Sequence, residues 1–139
     1  MTDSTQLQKK LAWSLLALRL GVFIVMFVWA LDKFVNPSHT AAVFENFYGI
    51  GDLSATLAAV LGGLQIALCV AFVLGLWKTL TYGLIFVLHG VSTLSSMPSY
   101  FDAFNNLLFF AAWPMWAACF VLFYLRSYDR FTLFSKTEL

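Results

Sequence analysis

Charge is scarce in this chain. Asp, Glu, Lys and Arg together make up 11% of its 139 residues, where a soluble domain carries about a quarter. A small domain leaves a large share of its surface exposed, so this shortage excludes ordinary packing in water. The charge that is present nearly cancels, to +1, which offers nucleic acid no electrostatic footing. Cysteine is almost absent too. Cys69 and Cys119 lie inside apolar runs without CxxC spacing, so they read as small buried thiols rather than a disulfide framework. No His, Cys and carboxylate set gathers for a metal, and haem at His89 would lack a second intramembrane histidine. The chain has no Gly-rich phosphate loop, no Ser/His/acid motif and no paired carboxylates on a helix, so nothing reads as a hydrolase. The first apolar run is too long for the core of a cleavable signal and lacks a small-residue exit.

Apolar side chains fill the space that charge leaves. The chain is 61% hydrophobic, with a mean hydropathy of +0.83. Four long apolar runs stand out, at about 11–31, 53–76, 79–97 and 104–125. Each has roughly the 20 residues that a helix needs to cross a hydrocarbon core of about 30 Å. Lipid cannot satisfy a free backbone amide, so each run is expected to be helical. The expected fold is all-α: one membrane domain over residues 1–139, built as a four-transmembrane-helix bundle.

The connections are uneven. Trp77-Lys78 makes a tight turn, so the second and third runs are antiparallel neighbours. The stretch 32–52 is longer. Asn36-Pro37 has the pattern of a helix start, Phe44, Phe47 and Tyr48 share one face, and Gly49 is placed to end the helix. This predicts a short amphipathic helix at the outer membrane surface, in the first extracytoplasmic loop. Polar residues 2–8 read as a short mobile tail. Lys9, Lys10, Lys78, Arg126, Arg130 and Lys136 fall on one side of a four-span arrangement, and only Lys33 on the other. The positive-inside rule then puts both termini in the cytoplasm, in a bacterial-type inner membrane.

Polar side chains inside a span are costly and mark function by default. Arg19, Gln65 and His89 are the candidates. Counting residues at the rise of a helix puts each about 12–18 Å into its span, in one slab near the midplane. Structural alternatives stand beside each: Arg19 snorkelling to headgroups or bonding carbonyls, Gln65 as interhelical glue, His89 as a packed core residue. Ser92, Thr93 and Ser96 continue a polar stripe outward from His89. On the second run Ala58-x-x-x-Gly62 and Ala59-x-x-x-Gly63 let helices approach closely. Pro114 is expected to kink the fourth run and free the carbonyl of Phe110, close to Trp113 and Trp116. Arg19, Gln65, His89, Trp113 and Trp116 form the candidate ligand-binding set. No catalytic residue and no metal site are identified.

From Arg19 to Asp129 the chain resembles the DoxX-like family of small four-helix membrane proteins. The resemblance rests on Arg19-Leu20-Gly21, Asp32-Lys33-Phe34, Asn36-Pro37, Tyr48-Gly49-Ile50, Gly63-Leu64-Gln65-Ile66, Leu74-Gly75-Leu76-Trp77-Lys78 and Tyr128-Asp129. Gln65 departs from it, standing where the family pattern leads one to expect glutamate. The resemblance implies an association with membrane redox systems, including quinone-linked oxidoreductases.

Three readings follow. The first is an accessory or quinone-interacting subunit of a membrane redox system, with quinone as the candidate cofactor, Arg19, Gln65 and His89 as hydrogen-bond donors, and Phe86, Trp113 and Trp116 as walls. The second is a structural or assembly subunit whose small-residue faces dock other membrane subunits or further copies of itself. The third is a small-molecule channel or exporter lined by Ser92 and Ser96.

Overall fold

The structure, a computed structural model, describes residues 2–133. Six helices follow one another, α1 Thr2–Val35, α2 Pro37–Tyr48, α3 Ala55–Leu74, α4 Lys78–Ser95, α5 Met97–Phe101 and α6 Ala112–Tyr124. Turns of 3-10 helix fill Ala103–Asn105, Leu107–Ala111 and Arg126–Tyr128. No strand occurs among the described residues. Three helical stretches are long and apolar enough to cross a membrane: Asp3–Val35, Ala55–Leu74 and Leu107–Tyr124.

The polar start of the chain is not a loose tail. Helix α1 begins at Thr2 and runs for 34 residues, about 51 Å at the helical rise. Nothing interrupts it locally. Its first turns hold Gln, Leu and Lys, all good helix formers, and Asp3 sits where the helix dipole favours an acid.

At the other end the helix stops before Pro37, whose ring disfavours helical geometry at Asn36. Asn36 caps α2, and Pro37 opens it where a missing N–H costs nothing. Gly49 closes α2 at φ 69°, the left-handed geometry that only glycine adopts without strain.

Helix α3 packs chiefly along α1, and α4 along α6. The α1–α3 seam runs through Ala58, Gly62 and Cys69, all buried. A Cβ on Gly62 would lie 2.7 Å from the Phe34 ring and 3.2 Å from the Ala30 carbonyl. The Ala58-x-x-x-Gly62 face is therefore packed against α1 within the chain, whereas a Cβ on Gly63 would meet nothing. The core joins Leu15, Val22, Met26, Cys69, Phe72, Tyr82, Ile85, Cys119 and Leu122. Ile24, Val60, Leu64, Val87 and Phe120 point outward and are exposed. Helices apolar all round suit lipid as their solvent.

The fourth apolar run, expected over about 104–125, becomes one helical stretch only from Leu107, and its first turns are 3-10. Asn105 donates to both carboxylate oxygens of Asp102, at 3.0 and 3.1 Å, and Asn106 donates to the Asp102 carbonyl at 2.9 Å. Such local side-chain bonds compete with helix formation, and 3-10 turns persist until Ala111. Pro114 then falls in the first turn of α6, where proline is tolerated. Backbone N–H groups reach the carbonyls of Phe109 and Phe110 at this junction, so the Phe110 carbonyl is not left free.

Candidate functional site

Two polar centres lie at different levels of the bundle. The first is built around Arg19, which is only 2% exposed. Its Nη1 forms an ion pair with Asp129 Oδ2 at 2.6 Å and a longer bond of 3.3 Å with the Tyr82 hydroxyl. Its Nη2 donates to the Phe131 carbonyl. Tyr82 donates to the same carboxylate oxygen at 2.6 Å, and Lys78 Nζ donates to the Asp129 carbonyl at 2.6 Å. One cation and one hydroxyl thus meet the Asp129 carboxylate, while a second cation holds its main-chain carbonyl.

The chain after α6 can reach these groups because it folds back under the helices. The Leu133 N–H donates to the Leu74 carbonyl at 3.0 Å. Gly75, at φ 75°, lies in direct contact with Thr132, with no room for a Cβ. Arg19 Nε and Asp129 Oδ1 are buried and have no hydrogen-bond partner among the described residues.

The second centre is an aromatic cluster packed between α4 and α6. Phe86 and Trp116 stack at 5.9 Å, Trp113 lies 6.0 Å from Trp116, and Tyr100 lies 5.4 Å from Trp113. Gly90 makes this close packing possible. An added Cβ there would come within 2.7 Å of Trp116 Nε1, so the indole lies directly on the α4 backbone. That indole nitrogen is buried and has no partner among the described residues. Next to Gly90, His89 Nε2 meets the Ala112 carbonyl at 3.1 Å. A carbonyl only accepts, so Nε2 donates and carries the proton of the neutral ring. Nδ1 is left as the acceptor. Tyr100 closes the outer end by donating to the Thr93 carbonyl at 2.8 Å.

Arg19, Gln65 and His89 do not share a partner. Gln65 Nε2 donates to the Met26 carbonyl at 3.0 Å, tying α3 to α1. Met26 is seven residues beyond Arg19 on α1, and His89 is seven beyond Tyr82 on α4. Arg19 therefore sits about 10 Å nearer the α3–α4 turn than the other two. Trp113 and Trp116 pack on each other at 6.0 Å, and His89 is tied to the start of the same helix α6 through the Ala112 carbonyl.

The polar stripe that continues from His89 turns back on its own helix. Thr93 Oγ1 bonds the His89 carbonyl at 2.7 Å, and Ser96 Oγ bonds the Ser92 carbonyl at 3.1 Å. This back-bonding satisfies Ser and Thr without a second helix.

Sequence reasoning missed Tyr82 and Asp129 as partners of Arg19, and Lys78 as a second group that holds Asp129. The available signal was charge: Asp129 is the lone acid between Arg126 and Arg130, after the last apolar run. Compared with known proteins, the chain matches no family model, no curated protein and no solved structure.

Proposed function

We propose that this chain is a four-span membrane subunit of the DoxX-like kind that holds a quinone head group between α4 and α6 and serves a membrane redox system. Helix α4 acts as the remaining span: its 18 residues cover about 27 Å. Lys9, Lys10, Lys78, Arg126 and Arg130 gather at the end where α1 begins and the segment after α6 returns, which the positive-inside rule makes cytoplasmic. Asp32, Glu45, Asp52 and Asp102 lie at the other end with α2, which rests on the outer surface.

The observation that carries the quinone reading is the buried Trp116 N–H, which lies on Gly90 and has no partner among the described residues. A quinone presents carbonyl acceptors and a flat ring. Trp116 supplies a donor, the stacked aromatics supply walls, and His89 Nδ1 can accept the proton that a quinol releases. The family resemblance points toward the same chemistry. Arg19 is not needed at the head group in this reading.

The test is quenching of tryptophan fluorescence by a short-chain quinone, with the protein in lipid nanodiscs. Saturable quenching is expected, weakened at least tenfold in His89→Ala and Trp116→Phe and retained in Gln65→Leu. Equal affinity in all four proteins would remove the quinone site.

A second reading is a non-catalytic assembly subunit. It is favoured by the outer α5–α6 connection, where Phe101, Phe104 and Leu108 are 85%, 91% and 90% exposed. Such an apolar patch suits contact with another subunit as well as with lipid. Mild-detergent purification followed by mass spectrometry separates the two readings, since a stoichiometric protein partner without quinone supports assembly.

A further inference from the structure

A groove of about 390 Å³ opens where the first turns of α1 meet the returning C-terminal segment. That volume falls in the usual range for small-molecule sites, about 300–1,000 Å³. Gln8, Lys9 and Trp13 line it from one face of α1, and Arg130 and Phe131 from the other side. The Trp13 and Phe131 rings meet at 4.8 Å and 55° to form an aromatic floor. Trp13 is 63% exposed and stands where the apolar part of α1 begins, the usual level of an interfacial tryptophan. Neither Lys9 nor Arg130 has an ion-pair partner among the described residues.

The position of Arg130 is built, not incidental. Its neighbours on both sides are held by Arg19, Asp129 through the ion pair and Phe131 through its carbonyl. With Asp129 buried, Arg130 is left facing outward. The Arg19 clamp therefore presents a guanidinium opposite Lys9, one turn above an aromatic shelf at the membrane boundary.

We propose that this groove is a binding site for the phosphate headgroup of an anionic phospholipid in the cytoplasmic leaflet. Arg130 and Lys9 hold the phosphate, with the guanidinium fork matched to its oxygens. Trp13 and Phe131 support the glycerol and the start of the acyl chains. The site uses the membrane orientation given above but is independent of the quinone site, so either can fail without the other.

Native mass spectrometry of the full-length protein in detergent, titrated with phosphatidylglycerol or phosphatidylcholine, tests it. One phosphatidylglycerol is expected to be retained in preference to phosphatidylcholine. Lys9→Gln and Arg130→Gln should each weaken that retention about fivefold, the usual effect of one basic residue near an anionic surface. Lys10→Gln, whose parent residue does not line the groove, should leave it unchanged. Equal retention of the two lipids, or equal losses in all three variants, would overturn the proposal. So would phosphatidylglycerol binding that emerges only when residues 134–139 are deleted, since the groove would then belong to the chain's own end.

Discussion

Arg19 and Asp129 are 110 residues apart in sequence, yet their side chains meet at 2.6 Å in the buried interior. The pair closes the bundle, because it fixes the segment after α6 against α1, α3 and α4. Removing one partner leaves the other charge buried without compensation, which costs about 3–5 kcal/mol. Asp129→Ala should therefore lower stability by about that amount in a denaturant titration in detergent. The double substitution Arg19→Met with Asp129→Leu should recover most of the loss, since a buried pair replaced by apolar groups is often neutral. Equal losses in the single and double variants would show that the pair does not hold the segment.

Gly90 gives a second prediction. An alanine there would press its methyl against the Trp116 indole at 2.7 Å, closer than real contacts allow. The indole must move, and overpacking of this kind costs about 1–3 kcal/mol. Gly90→Ala should fold, shift the tryptophan emission and lose quinone quenching. Unchanged emission would mean that the indole does not lie on Gly90.

The helices were readable because their signal is local. Long apolar runs, Asn36-Pro37 and Gly49 each act through their own neighbours, and the sequence places them well. The Arg19 partnership was not readable in the same way. Apolar pattern and helical rise put Arg19 in a slab with Gln65 and His89, but neither shows that the chain returns after α6. That return depends on Gly75 accommodating Thr132 and on Lys78 reaching a main-chain carbonyl, contacts between segments far apart in sequence. The fourth span starts a few residues later than the hydropathy suggests, at Leu107, for a local reason that hydropathy does not register: Asn105 and Asn106 each bond Asp102. The pairing of α4 with α6 was legible, because consecutive spans joined by a connection tend to pack side by side.

Gln65 gives a third prediction. Its amide bonds a carbonyl of α1 within the apolar bundle. Interhelical bonds of this type contribute about 0.6 kcal/mol, with a ceiling near 1.7. Gln65→Leu should therefore cost at most about 1.7 kcal/mol in the same titration, and Gln65→Glu more, since a carboxylate cannot donate to the Met26 carbonyl unless protonated. A Gln65→Glu variant as stable as the parent would argue that this position faces a polar partner rather than α1.

The number of spans can be decided by parity. With both termini cytoplasmic and four crossings, residue 51 lies outside and residue 127 inside. If α4 did not cross, three crossings would put residue 127 outside while leaving residue 51 where it was. The bundle geometry opposes that outcome, because the Leu133–Leu74 hydrogen bond and the Lys78–Asp129 contact tie the C-terminal segment to the α3–α4 turn. In the proposed orientation that turn follows the second crossing and lies on the cytoplasmic side. Gly51→Cys and Ser127→Cys, each in a Cys69→Ala, Cys119→Ala background, can be exposed to a membrane-impermeant maleimide on intact cells. Gly51→Cys should label at once and Ser127→Cys only after the membrane is opened. Labelling of both on intact cells would reduce the spans to three and place the Arg19 centre in a protein whose ends lie on opposite sides, which the 2.6 Å pair with Asp129 could accommodate only if Arg19 sat near the outer face.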